Sequence, residues 1–247
     1  MQSVQGFGVR GPVVSGMGLW QTLALFGSGS TLMFIGTHAL IPMLSRATGQ
    51  EPVLCWFLIG GLGVFCPLLL LAGLLLHAEG APLDRRVWRE RLRFRPMNGG
   101  DWLWSIGAMA LISALSIGLS AGLRLIVGEV DQQPPFMRLD PLTPDRYWLL
   151  LIWLPFWALN ILGEEILWRG VMLPRQEQTF GRWAWLVNSG GWILFHLAFG
   201  GQLLLLMLPI LVMTPYAVQR RGNSWVGVLI HAGINGAGFL AIAFGLL

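Results

Sequence analysis

Charged side chains are scarce in this 247-residue sequence, in which Asp, Glu, Lys and Arg together make up 11%. A soluble domain carries about 25%. Hydrophobic residues account for 55%, and the mean hydropathy is +0.64. So few charges cannot cover a globule of this size with a wetted surface, which excludes a soluble enzyme, and the same figures exclude intrinsic disorder. The sequence therefore predicts a polytopic membrane protein.

Lysine is absent, and cysteine is nearly so. All 16 basic residues are arginine, and the two cysteines, Cys55 and Cys66, lie in one apolar stretch. Their separation is about 16 Å along a helix, which is too far for a disulfide. Neither a disulfide scaffold nor a zinc finger is indicated. We interpret the net charge of +4 as an orientation signal and expect no nucleic-acid partner.

Seven apolar stretches approach the length of about 20 residues that a membrane-spanning helix needs. The fifth and sixth are short, so we expect an all-α membrane helix bundle with about seven spans, within a range of six to eight. One integral membrane domain is expected, with an N-terminal part at 1–146 and a C-terminal part at 147–247. The predicted stretches are 19–44, 53–76, 102–127, 147–173, 183–199, 202–218 and 224–246.

The loops differ in charge. Loops 77–101, 174–182 and 219–223 are rich in arginine, whereas loop 128–146 holds four acidic residues. The positive-inside rule then predicts that the N-terminus and the Arg-rich loops are cytoplasmic and that the C-terminus lies outside. We interpret the location as a bacterial inner membrane.

The first Arg-rich loop has two interpretations. It is either a plain orientation signal or a short amphipathic helix on the membrane surface. In the second case the side chains facing lipid are Val87, Trp88, Leu92 and Phe94.

Ionisable residues inside the apolar stretches are concentrated in the last four. Each costs at least ~2.5–3.5 kcal/mol in hydrocarbon, so such residues are usually functional. Glu165 and Arg169 lie four residues apart in the favourable order for an ion pair. Glu164 points about 100° away from Glu165 and shares a helix face with Asn160 instead. The pattern predicts different roles for the two carboxylates.

Two later stretches contribute further polar groups: His196 in the fifth, and His231 with Asn235 one turn later in the seventh. Measured from the assumed cytoplasmic ends, Glu164 lies about 13 Å deep, His231 about 10 Å and His196 about 20 Å. These depths are compatible with one cluster, and a purely structural explanation for the whole set is disfavoured.

The set of residue types suggests activation of water. Glu164 can take a proton from water while His196 orients it, and His231 and Asn235 can donate hydrogen bonds to an oxyanion. Alternatively, Glu164, His196 and His231 can hold a zinc ion. The H-E-x-x-H helix signature is absent. The residues alone leave both alternatives open.

At these positions the sequence resembles the CPBP family, the CAAX proteases and bacteriocin-processing enzymes also called the Abi family. The family pattern is E-E-x-x-x-R, then F-x-x-x-H, then H-x-x-x-N on successive membrane helices. The resemblance covers about 150–247, and Trp192 stands where the family usually has Phe. The matching segments are Glu164 through Arg169, Trp192 through His196, and His231 through Asn235.

The resemblance implies an intramembrane endopeptidase whose catalytic core is 147–247. By carry-over, Glu164 is the catalytic base, His196 positions water, and His231 with Asn235 forms the oxyanion site. Glu165 and Arg169 are then a structural pair. We expect Asn160 and Trp192 to support the site.

The expected partners are the lipid bilayer and a membrane-associated protein or peptide substrate. Family substrates include prenylated CAAX proteins, bacteriocin leader peptides and C-terminal sorting tails, and the residues do not select among them. We expect no cofactor, with zinc as the alternative. Two non-protease alternatives remain: an immunity or scaffold protein of the same fold, and a proton-coupled transporter, in which intramembrane Glu and His would relay protons.

Overall fold

The protein is a bundle of helices, seen here in a computed structural model that describes residues 14–80 and 84–246. Within these ranges there is no β-strand, and six helical runs are long and apolar enough to cross a bilayer. The predicted all-α membrane bundle is therefore confirmed. The helices are α1 (Leu19–Thr48), α2 (Pro52–Ala78), α3 (Arg85–Arg91), α4 (Gly99–Val127), α5 (148–180), α6 (Ala184–Phe195), α7 (Gly201–Arg221) and α8 (Ser224–Ala243).

One of the six runs, Trp148–Phe195, contains 48 residues and covers most of both the fourth and the fifth predicted stretch. A straight helix of that length would measure about 72 Å, more than twice the hydrocarbon thickness. The run instead reverses at Gly181, whose φ of 53° lies in the left-handed region. Helix α6 then returns antiparallel to α5, since the Asn188 side chain donates to the carbonyl of Trp168. Within the described residues, the chain therefore passes between the two ends of the bundle seven times.

The three Arg-rich loops meet at one end of the bundle. Arg93 of the first loop forms an ion pair with Glu177 near the second. Asn223, beside the third, donates to the carbonyl of Arg95. The N-terminal segment joins this Arg-rich end, because the amide of Met17 donates to the carbonyl of Arg175. The predicted grouping of these loops is confirmed, while the membrane face on which they lie stays a prediction.

Helix α3 and the residues that follow it pack against the protein, so the interpretation with side chains facing lipid is wrong for Trp88, Leu92 and Phe94. Leu92 is 6% exposed and contacts Gly170 on α5. Phe94 packs against Trp225, and Trp88 packs against the apolar core. The amphipathic pattern was visible in the sequence, but it does not distinguish lipid from a groove on the bundle.

Loop 128–146 covers the opposite end, which we call the acidic-loop end. Phe136 is buried there between Trp56 and Phe199, with ring centroids 5.1 and 5.2 Å away. The amide of Leu142 donates to the carbonyl of Ala243, which ties the loop to the end of α8. The N-terminal and C-terminal parts of the described chain therefore lie at opposite ends of the bundle.

Candidate active site

The two adjacent glutamates lie where α5 changes its helical form. Glu164 ends the regular α-helical part, and a π-helical stretch runs over Glu165–Met172. Such π-helical segments are rare and are frequently found at functional sites. Helix α5 packs closely against α2 beside these glutamates. A Cβ added at Gly163 would lie 2.8 Å from the backbone oxygen of Phe65 on α2.

The Glu164 carboxylate is 1% exposed and accepts a hydrogen bond at each oxygen. The side-chain amide of Asn160 donates to Oε1 at 2.9 Å, which confirms that the two residues share a face. The indole Nε1 of Trp192 donates to Oε2. The sequence analysis missed this second donor, although the visible signal was a Trp at a position where the resembled family usually has Phe.

The Glu165 carboxylate has different partners. Its Oε1 lies 3.3 Å from Nη1 of Arg169 and 3.0 Å from Nδ1 of His231. Arg169 also lies over the Trp192 ring, with its guanidinium carbon 3.5 Å from the centroid. The structure thus forms the pair expected from the spacing of Glu165 and Arg169. The contact between Glu165 and His231 links α5 to α8, and the sequence analysis missed it.

His196 lies at the end of α6, with its Nδ1 2.9 Å from the carbonyl oxygen of Trp192. A carbonyl only accepts hydrogen bonds, so Nδ1 carries the proton in this contact. That fixes the ring and makes Nε2 the nitrogen that can act on water or substrate. The ring packs edge-on against Trp192, with centroids 5.5 Å apart.

The polar groups meet in one internal cavity of about 210 Å³. Glu164, His196, His231 and Asn235 all line it, as do Asn160 and Trp192. Neither Glu165 nor Arg169 is among the described residues that form the cavity wall. The cluster expected from helix depth is therefore present, and the two neighbouring carboxylates lie on different sides of the cavity wall.

Residues 146–237 match the family model described as type II CAAX prenyl endopeptidase Rce1-like. This confirms the resemblance to the CPBP family. No curated protein and no solved structure matches the chain. The matched segment contains all three sequence motifs and, with the exception of Gln132, the polar residues that line the cavity. The family is named for endopeptidases that act on prenylated CAAX proteins, and the match covers the C-terminal part of the chain.

The CPBP motif residues do not form a zinc site as they are arranged. Over residues 14–80 and 84–246, no three His, Cys, Asp or Glu side chains converge in a geometry suited to a metal ion. Both oxygens of Glu164 already accept hydrogen bonds, and His231 directs Nδ1 towards Glu165. The zinc alternative would require these side chains to rearrange.

Helices outside the CPBP segment also shape the cavity. Trp56 and Phe65 of α2 form part of its wall, with Phe156 of α5 beside them. Phe26 of α1 stacks on Trp168 at 4.2 Å, behind the π-helical stretch. The cavity therefore depends on the N-terminal helices for its shape.

Proposed function

We propose that the protein is an intramembrane endopeptidase in which Glu164 activates a water molecule for attack on a peptide bond. The observation that carries the proposal is the cavity itself, where Glu164, His196, His231 and Asn235 converge from three helices. The cavity has room for more than one water molecule, as hydrolysis requires.

Glu164 is the general base of the proposed reaction. With one donor on each oxygen, its carboxylate is fixed in orientation within a buried site. It takes a proton from water while Nε2 of His196 holds the other side of that water, and the hydroxide oxygen bonds to the carbonyl carbon. The tetrahedral intermediate then collapses, and the proton on Glu164 passes to the departing amine nitrogen. Atoms and charges balance without a covalent enzyme intermediate.

His231 and Asn235 stabilise the oxyanion of that intermediate in our proposal. They lie one turn apart on α8 and both line the cavity. Since Nδ1 of His231 contacts the Glu165 carboxylate, the ring must carry protons on both nitrogens, as an imidazolium, for Nε2 to donate to the oxyanion. Glu165 and Arg169 act behind the wall, where they hold His231 and Trp192 in place.

We propose that the reaction needs no metal, because the residues form a complete base and oxyanion site from hydrogen bonds alone. Both oxygens of Glu164 already accept hydrogen bonds, from Asn160 and Trp192, and this supports the metal-free proposal.

The proposal is tested by comparing the termini of membrane proteins in cells that carry the wild type or Glu164→Gln. A peptidase produces termini that appear only with the wild type, and these name its substrates. If both proteins are well expressed and the termini are identical, the proposal is wrong and an immunity or scaffold role is favoured. Glu90→Gln, which makes the same change at an exposed carboxylate outside the cavity, serves as a control with an intact site.

A further inference from the structure

The cavity is closed towards the Arg-rich end of the bundle. The residues directly beyond the site in that direction, on α5 and α8, are fully buried. Behind them, Arg91 donates to the carbonyls of Gly170 and Val171 and pairs with Glu79 through two hydrogen bonds. No peptide can reach Glu164 through this layer without unfolding it. The fully buried residues are Leu167, Trp168, Val171, Val226 and Ile230.

The cavity wall is accessible on the opposite side. On this side several residues of the wall are partly or fully exposed. They come from three elements: the acidic loop, the first half of α7 and the second half of α8. Asn235 is the exposed member of the polar set, whereas Glu164 is 1% exposed. We call this opening the mouth, and it is formed by Gln132, Met137, Leu203, Met207, Asn235 and Gly238.

Lipid borders the bundle beside the mouth. The buried residues of helix α4 lie in its first half, where Met109 contacts Gly233 of α8, and Ser116, just past the midpoint, donates to the carbonyl of Leu206 of α7. Beyond Ile112 no residue of α4 is fully buried, and Ile117 is 69% and Leu125 90% exposed. The half of the bundle nearest the acidic loop is therefore open to a chain that is already in the bilayer.

The distribution of charge orients this mouth. The three Arg-rich loops lie together at the closed end, and the loop that covers the open end holds Glu129, Asp131, Asp140 and Asp145. Under the positive-inside rule the closed end is cytoplasmic. The mouth then faces the non-cytoplasmic side of the membrane.

We propose that the substrate is an apolar segment of a membrane-anchored protein that reaches Glu164 from the non-cytoplasmic side, through the mouth between α7, α8 and the acidic loop. This inference rests on the proposed peptidase function and adds its direction and substrate class. The wall between mouth and site is largely aromatic and apolar, including Trp56, Phe199 and Phe239, and this favours a lipid-soluble segment over a charged peptide. A prenylated tail presented from the cytoplasm would meet the closed end.

The direction is tested with single-cysteine variants. They are built in a protein from which Cys55→Ala and Cys66→Ala have removed the native thiols, after that protein is shown to give the same cleavage products as the wild type. Gln132→Cys lies at the mouth, and Arg86→Cys lies on a side chain that is 85% exposed at the Arg-rich end. A membrane-impermeant maleimide is applied to right-side-out spheroplasts. We expect Gln132→Cys to react at once and Arg86→Cys to react only after permeabilisation. The opposite pattern would overturn the proposal.

The same label tests the route of the substrate. A bulky maleimide on Gln132→Cys should reduce the wild-type-specific termini at least tenfold. The matched control is Asp140→Cys, an exposed position in the same loop that is outside the cavity wall, where the label should change nothing. Unchanged cleavage after complete labelling of Gln132→Cys would overturn the route.

The two hypotheses fail in different ways. If no termini depend on Glu164, the peptidase function is wrong, and the labelling pattern still decides which way the mouth faces. If such termini appear but lie on cytoplasmic tails, the peptidase function stands and the proposed direction is wrong. Termini at the non-cytoplasmic ends of membrane segments support both.

Discussion

The indole Nε1 of Trp192 donates a hydrogen bond to Oε2 of Glu164, and this contact joins α6 to α5 across 28 residues of sequence. The face of the same ring carries the guanidinium of Arg169, 3.5 Å from the ring centroid. One buried side chain therefore orients the proposed base and supports the cation of the structural pair. The edge and the face of the ring can be tested separately.

Trp192→Phe should lower the cleavage rate of the folded protein about tenfold or more and lower the melting temperature only moderately. Phe keeps a ring under Arg169 but removes the donor to the carboxylate, and hydrogen bonds to charged groups contribute about 1.5–3 kcal/mol. Cleavage kinetics and thermal unfolding of the purified protein measure the two effects.

The control for this variant is Trp168→Phe. Trp168 is fully buried in the same region, yet within the described chain its Nε1 has no hydrogen-bond partner. Its replacement should therefore leave the rate unchanged. Equal loss of activity in both variants would show that ring size matters and that the indole donor does not.

Gly227→Ala should destabilise the protein by about 1–3 kcal/mol, the usual cost of adding volume to a packed core. A Cβ at this position would contact Oε2 of Glu165 and lie 2.8 Å from Cγ2 of Val218. The matched control is Gly238→Ala on the same helix, where a Cβ meets nothing within 4 Å. Thermal unfolding compares the two, and equal melting temperatures would argue against close packing around Glu165.

Arg91→Lys should lower stability by about 1–3 kcal/mol, because an ammonium cannot reproduce the planar set of donors. Arg91 forms two hydrogen bonds of 2.7 Å with Glu79 and donates to two carbonyls of the π-helical stretch. Arg86→Lys, at an exposed ion pair in the same short helix, should change stability by less than about 0.5 kcal/mol. A similar result for both would show that α3 does not support the site.

Treatment with EDTA should leave both the cleavage rate and the melting temperature unchanged. Measurement of bound zinc before and after the treatment shows whether any metal was removed. The expectation follows from the hydrogen-bond donors that surround Glu164. Loss of activity on chelation, with recovery on addition of Zn²⁺, would contradict the proposed metal-free mechanism.

The sequence could predict the membrane bundle because long apolar runs and the sign of loop charges are local properties. The reversal at Gly181 was harder to place, since the fourth and fifth stretches form one helical run around it. The lipid-facing interpretation of Leu92 was wrong because local amphipathicity does not reveal what covers an apolar face. The structure shows Leu92 against Gly170, far away in the sequence.

Spacing within one helix was enough to predict the pairing of Glu165 with Arg169 and the shared face of Glu164 and Asn160. Spacing within one helix could not predict the contacts between helices. The bonds from Trp192 to Glu164 and from His231 to Glu165 depend on how α5, α6 and α8 pack. A single sequence carries no direct signal for such distances.

The central claim is that two adjacent carboxylates have separate roles, and one measurement on two variants tests it directly. Cleavage rate and melting temperature are recorded for Glu164→Gln and Glu165→Gln. We expect Glu164→Gln to abolish cleavage at a near-wild-type melting temperature. Glu165→Gln should lose about 3–5 kcal/mol of stability, because it leaves the buried Arg169 without its counter-charge. Equal loss of stability in both variants, or cleavage by Glu164→Gln, would contradict the claim.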